Sequence, residues 1–514
     1  MAQTLAEAFK QGADKSANGL AVIIPNGGPQ FTYKQLQAVV DDFQQQVADI
    51  GLSQGDAVSM ALPNGLEFTV AFLGSCAQRG IAAPLNPAYK KAEYEFYIDD
   101  LKSKLVLVPR GFVAKDDAAV QAANKFGVAV AEVYWDGRHV QVDLKTKGKF
   151  EGRKKSINKP HGDDIGLVVH TSGTTGRPKA VPLLQRNLTR TMTNIVNTYK
   201  LTPEDRTLLV MPLFHVHGLL CGLLATFLAG ASAIIPDKFS AGTFWRDFTE
   251  HKANWYTAVP TMHQILLRTA LPKTLPKIRF IRSCSSALAP STLHELEKTF
   301  KAPVLEAYAM SEAAHQMTSN PLPPLSRKPG SVGIGQGVEV AILDLAGKVL
   351  SVGQEGEISI RGANVTPGYM NNDKANKESF TAEGWFRTGD QGKLDNEGYV
   401  FITGRIKELI NRGGEKISPI ELDGALLSHP AVGEAVAFGI PSDFYGQEVA
   451  AVVVLKDGQK ATEKDLQAFM TEKVAKFKVP KVIYFTDAIP KTGSGKIQRR
   501  VVAEKMHKPT KSKL

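Results

Sequence analysis

The run Thr171-Ser172-Gly173-Thr174-Thr175-Gly176-Arg177-Pro178-Lys179 packs hydroxyl donors, two glycines and two cations into nine residues. Glycines let a backbone turn tightly and present its N–H groups, while the hydroxyls and the Arg177 and Lys179 charges add donors. Together they suit a loop that cradles a pair of phosphates. It is not a Walker A loop, because no Gly-Lys-Ser/Thr opens a helix after it; its position behind an apolar run ending at His170 argues against a plain surface loop. A second cluster is Glu306-Ala307-Tyr308-Ala309-Met310-Ser311-Glu312. A carboxylate there can hold Mg2+ through phosphate oxygens and Tyr308 can stack on a base, with core packing as the alternative. A third, Gly384 to Asp390, presents one carboxylate that can accept from two sugar hydroxyls or close an Asx-turn. A fourth, Lys491-Thr492-Gly493-Ser494-Gly495-Lys496, places a point charge at the end of a Gly/Ser stretch, either to reach an anion or as a Lys-rich loop.

Such groups need rigid elements behind them. Apolar runs of strand length alternate with helical patterns: 57–62 before 66–76, 105–108 before 114–126, and 165–170 before a turn and a helix from about Leu184. That alternation predicts α/β layers with mostly parallel sheets. From about Gly330 the texture changes to short strands at 338–343, 357–360 and 399–403, separated by Asp, Asn and Gly turns. Beyond Arg405 a helix at 420–427, strands at 432–439 and 449–455, and a helix at 462–474 opened by Thr462 predict a compact α+β unit. The expected fold class is therefore α/β. A large N-terminal domain, 1–404, has α/β layers plus a β-rich subdomain, and a small α+β domain follows at 405–514.

Length and composition exclude other classes. The 514 residues are 43% hydrophobic and 22% charged with 45 Gly and 28 Pro, which is neither collagen-like, disordered nor coiled-coil. Cys76, Cys221 and Cys284 form no CxxC pair or metal-ligand spacing, pointing to a reducing compartment. The net charge is +11, and the stretch 471–514 alone holds 12 basic and 3 acidic residues. A basic end of that kind suits a polyanion such as a nucleotide, coenzyme A, RNA or an anionic membrane surface, with a solvated Lys-rich surface as the alternative. The N-terminus shows no signal-peptide pattern. The uncharged stretch 207–236 is broken by Pro212, His215, His217 and three glycines, so it predicts a buried helix at 219–228 and a strand at 231–235, not a membrane span. The chain ends Ser512-Lys513-Leu514, a peroxisomal import-receptor address. The expected location is the peroxisomal matrix, with some protein in the cytosol.

In this order the four segments resemble the adenylate-forming superfamily of acyl-CoA synthetases, peptide-synthetase adenylation domains and firefly luciferase, from about Phe31 to Arg500. The resemblance implies an AMP-binding domain at 1–404 and its lid at 405–514, with ATP, Mg2+ and coenzyme A as co-substrates and cofactor. It implies ATP contacts from Thr171, Ser172, Gly173, Thr174, Thr175, Gly176, Lys179 and Ser286. Glu306, Ala307, Tyr308, Ala309, Met310 and Ser311 would line the adenine, and Asp390 with Arg405 would hold the ribose. Glu312 resembles the Mg2+ ligand, Lys496 the lysine required for adenylation and Lys407 the hinge. Glu312, Lys496 and His215 are the implied catalytic residues, and Gly413, Gly414 and Lys416 the implied CoA contacts. Ala180, Ala309 and Ser311 depart modestly from the commoner family residues.

For the acid, His215, His217, Ser285, Ser286 and His315 are the implied pocket. Imidazoles, hydroxyls and a nearby Arg282 suit a small, doubly acidic substrate, since burying a second carboxylate without partners costs several kcal/mol or more. The strings PLFHVHGLL, RSCSSALAP and EAYAMSEAAHQMTSNPLP resemble the oxalate–CoA ligase branch of plants and fungi. The expected reaction is oxalate + ATP + CoA to oxalyl-CoA, AMP and pyrophosphate. Alternatives are a medium-chain or 4-coumarate-like ligase, a luciferase-like oxidase, and an RNA-binding protein using the basic tail, which is poor in base-stacking aromatics.

Overall fold

The computed structural model describes residues 2–148, 154–157, 159–171, 178–492 and 497–507. Two large sheets form the body. The first has seven strands in the order Val140–Thr146, Ala129–Trp135, Leu105–Pro109, Ala57–Met60, Ile81–Pro84, Ile165–Thr171, Lys179–Leu184. Its inner strands are parallel and both outer pairings antiparallel. The second has nine strands, in which Leu20–Ile23, Ser232–Ile234, Arg206–Leu208, Trp255–Ala258, Phe280–Ser283 and Val304–Met310 run parallel. His315–Ser319 pairs antiparallel with Val304–Met310, and Ile334–Gly335 lies beyond it at that edge.

Helices between the sheets explain why both fold as buried layers. Helix Leu66–Ala77 is apolar almost all round, with ten of twelve residues buried, which fits an element with protein on every side. Its side chains belong to one core that also takes Val58, Ala82 and Leu167 from the first sheet and Ala21, Val22 and Ala233 from the second. The same core reaches Ile342, Ile358, Phe386 and Val400 of a four-stranded antiparallel sheet. That sheet is the β-rich subdomain.

The chain then builds a five-stranded sheet from Ile410–Arg412, Glu415–Ile417, Val432–Ser442, Gly446–Leu455 and Val482–Phe485. Alternation along Val432–Ser442 sends Ala435 and Ala437 to one core under helices Pro419–Leu427 and Glu463–Lys473, and Val436, Phe438 and Ile440 to another under Arg499–Met506. Thr462 caps Glu463–Lys473 in a capping box with Asp465.

Two elements differ from the sequence expectation. The helix expected at 114–126 begins only at Ala118, because the Asp117 side chain caps the Ala119 N–H. The stretch expected as a helix at 219–228 is a π-helix, His217–Leu224, continued as α-helix Ala225–Ala229. Gly218 permits that entry: a Cβ there would lie 2.3 Å from the Pro212 carbonyl oxygen. π-Turns of this sort concentrate at functional sites. Among the described residues no helix is long and apolar enough to cross a membrane.

Candidate active site

The strands that flank the phosphate-type run, Ile165–Thr171 and Lys179–Leu184, pair antiparallel, with Thr171 opposite Lys179. Ser172, Gly173, Thr174, Thr175, Gly176 and Arg177 lie outside the described residues. The Thr171 hydroxyl is buried with no partner among the described residues. The Lys179 ammonium sits 3.9 Å from the centroid of the Tyr369 ring. Tyr369 in turn donates its hydroxyl to Glu312 Oε1 at 2.8 Å. Glu312 is buried in the short 3-10 turn Ser311–Ala313 that follows strand Val304–Met310. Burial holds the Lys179 ammonium below its usual pKa; Glu312 opposes that shift and Lys407 reinforces it. Tyr369 thus couples the two charged groups, a role sequence reasoning missed; the Pro367-Gly368 turn before it, with Gly368 at φ +138°, is the one local signal.

Strand alternation sends Glu306 and Tyr308 to one side of Val304–Met310. Tyr308 donates its hydroxyl to Asp390 Oδ2. The Asp390 Oδ1 accepts from Arg405 Nε at 3.1 Å, and the two residues are register partners on antiparallel strands. The expected adenine wall and sugar-binding pair are therefore one hydrogen-bonded unit. Glu306 accepts the Leu288 N–H at 3.0 Å, and burial pushes its carboxyl up to about 8 despite that bond. Ser311 begins the turn, and Ala307, Ala309 and Met310 complete the strand.

The third group lies at the carboxyl ends of the parallel strands of the second sheet, where open α/β sheets bind ligands. His217 Nε2 is 2.6 Å from Thr257 Oγ1, and its Nδ1 is 3.1 Å from Ser285 Oγ. The His315 ring stacks on His217 with centroids 5.1 Å apart. The backbone N–H of His217 donates to His215 Nδ1 at 3.2 Å. Ser286 donates to the Ser285 carbonyl at 2.9 Å and is itself exposed. Ser285 and His315 hold φ of +75° and +95°, strained values for side chains of this size that mark imposed geometry.

Behind these lies Arg282, wholly buried. Its Nε donates to Tyr199 at 2.7 Å, its Nη1 approaches Thr257 Oγ1 at 3.2 Å and His217 Nε2 at 3.3 Å, and its Nη2 has no partner among the described residues. The nearby Arg279 is paired with Asp205 at 2.8 Å, whereas no carboxylate pairs with Arg282 among the described residues. A buried cation without a counter-ion is costly unless its site receives an anion. Burial first, then Arg282, keeps His217 and His315 well below the usual histidine pKa, so both are neutral.

In the small domain Gly413 and Gly414, at φ +59° and +97°, form the tight turn between Ile410–Arg412 and Glu415–Ile417; Lys416 is exposed beside them. Lys407 is exposed in the turn Ile406–Glu408, immediately after Arg405 and its strand. Lys496 and Ser512-Lys513-Leu514 lie outside the described residues.

A two-sheet body, a hydroxyl- and glycine-rich run in the sequence between two of its paired strands, and a small α+β domain beyond Arg405 define a nucleotide-dependent activating enzyme of the AMP-binding type. The chain belongs to that family: the AMP-binding enzyme model matches residues 9–370 and the AMP-binding enzyme C-terminal domain model residues 421–496. Across 100% of its length the chain is 49% identical to the oxalate–CoA ligase of Saccharomyces cerevisiae, covering 99% of that protein. It is 48% identical to the oxalate–CoA ligase of Arabidopsis thaliana, covering 93% of this chain and 94% of the relative. ATP-bound MatB from Rhodopseudomonas palustris superposes with a TM-score of 0.87 at 31% identity, over 98% of this chain and 99% of that one.

Proposed function

We propose that this chain is an ATP-dependent oxalate–CoA ligase. The full-length likeness to two oxalate–CoA ligases supports the reaction. The structural observation that carries the choice of acid is the buried Arg282, beside stacked neutral imidazoles and without a carboxylate of its own among the described residues. A two-carbon dianion supplies the missing negative charge, whereas an octanoate or coumarate tail would leave these groups unpaired. The medium-chain and coumarate readings are not favoured.

In this reading a carboxylate oxygen of oxalate attacks the α-phosphorus of ATP and pyrophosphate leaves. The CoA thiol then displaces AMP from the oxalyl-adenylate, giving the thioester and releasing the thiol proton to solvent. Lys179 holds charge against the leaving phosphates, Asp390 and Arg405 fix the sugar, and Lys496 is the cation proposed to bring the two anions together. Glu312 is the proposed Mg2+ ligand. The buried Glu312 carboxylate, whose Oε1 accepts from Tyr369, would hold Mg2+ as a hard oxygen donor. When bound, Mg2+ would neutralise phosphate charge. Rotation about Lys407 would then bring Gly413, Gly414 and Lys416 to the CoA path.

The test measures ATP-dependent CoA consumption with oxalate, malonate, octanoate and 4-coumarate side by side. Oxalate is expected to give the highest kcat/KM; preference for octanoate or 4-coumarate would remove the assignment. Peroxisomal import through Ser512-Lys513-Leu514 is also proposed. Loss of peroxisomal targeting on deleting those three residues is the expected result, and unchanged targeting would refute it.

A further inference from the structure

Arg282 lies one layer behind Ser285 and is linked to it through His217. A guanidinium can only donate, so the contact between Nη1 and His217 Nε2 requires Nε2 to be the acceptor. The Thr257 hydroxyl, accepting from the same Nη1, can donate into Nε2 as well. Thr257 and Arg282 are register partners on adjacent parallel strands, so this arrangement is built into the sheet. With Nε2 accepting, the single proton of the neutral ring sits on Nδ1 and is donated to Ser285 Oγ. The oxygen of the half-buried Ser285 is then an acceptor from His217, which leaves the serine's own proton to be donated to another group.

We propose that Arg282 is a positioning residue for acid recognition: through His217 it turns the Ser285 hydroxyl into a hydrogen-bond donor for the distal carboxylate of the acid. Without a fixed donor at Nε2 the other tautomer becomes available. Nε2–H then donates to Thr257, Nδ1 accepts from Ser285, and the substrate loses its donor. Arg282 also places a positive charge behind the pocket, which favours the second carboxylate. The inference rests on the reading of this pocket as the acid site.

The experiment compares wild type, Arg282→Met, Arg282→Lys, Ser285→Ala and the Met/Ala double variant. Each is assayed with oxalate and with acetate, a two-carbon acid lacking the second carboxylate. Arg282→Met and Ser285→Ala are each expected to lower the preference for oxalate over acetate by about 10- to 100-fold, mainly through the oxalate KM. The double variant should be no worse than the more impaired single, because both act on one hydrogen bond. Arg282→Lys, which keeps a donor, should recover part of the preference. Equal loss for both acids, or a double-variant loss equal to the product of the singles, overturns the proposal. If Arg282→Met does not fold, Arg282→Lys and Ser285→Ala still decide it, since an unchanged oxalate KM in Ser285→Ala is incompatible with the proposal. A wild-type enzyme that prefers octanoate or 4-coumarate would instead overturn the functional reading itself.

Discussion

Tyr369 joins two groups that would otherwise sit apart. Its ring faces the Lys179 ammonium and its hydroxyl holds Glu312. Tyr369→Phe keeps the ring and removes the hydroxyl bond to a carboxylate, worth about 1.5–3 kcal/mol. The expected outcome is a roughly 10- to 100-fold fall in kcat/KM for ATP, with folding retained; unchanged ATP kinetics across a magnesium titration would show that Glu312 needs no such support. Glu306 carries a different consequence. Its carboxyl is pushed up to about 8 by burial, whereas in an unfolded chain it ionises near 4.3. Between those values the folded state keeps a proton that the unfolded state has lost. Stability from this group is therefore fully present below about pH 4 and is lost as pH rises through about 8. Relative to Glu306→Gln, whose amide oxygen can still accept from Leu288, the wild type should lose melting temperature from pH 5 to pH 8. Parallel melting curves for the two proteins across that range would contradict the argument.

At the level of elements, the π-helix opening at His217 aims one imidazole at both Thr257 and Ser285. Its entry depends on Gly218, where a Cβ would meet the Pro212 and Met211 carbonyl oxygens at 2.3 and 2.7 Å. Gly218→Ala should cost about 1–3 kcal/mol through overpacking and displace His217. Thermal denaturation and the oxalate KM check this: both should worsen, and a lowered melting temperature with an unaltered KM would free His217 from that dependence. The strand leading to Thr171 was legible in the sequence because its apolar run ends in turn chemistry, whereas the strand through Glu306 runs on to Met310 with no local turn signal to bound it. The Thr462 cap was legible because capping is local. The π-helix was not, since apolar periodicity over eight residues does not distinguish helix types. Strand Leu20–Ile23 pairs with Ser232–Ile234, about two hundred residues away, and nothing local announces such a partner. For the same reason the histidines could be named from sequence, but the setting of Arg282 could not: Tyr199 and Thr257 reach it from separate elements.

For the whole molecule, the proposed lid motion separates the two half-reactions in space. Lys407→Pro would restrict the backbone at the proposed pivot. Pyrophosphate release with oxalate and ATP should persist, while thioester formation should slow by at least about tenfold. Equal slowing of both steps, followed by stopped-flow release and CoA consumption, would place the pivot elsewhere. Asp390 and Arg405 face each other across two strands, and Lys407 follows only two residues later. If the small domain swings about Lys407, and if Asp390 with Arg405 holds the sugar as proposed, the fulcrum is bolted to the nucleotide. An occupied ribose clamp then stiffens the axle itself, so cargo on the large body and the timing of the swing are mechanically inseparable.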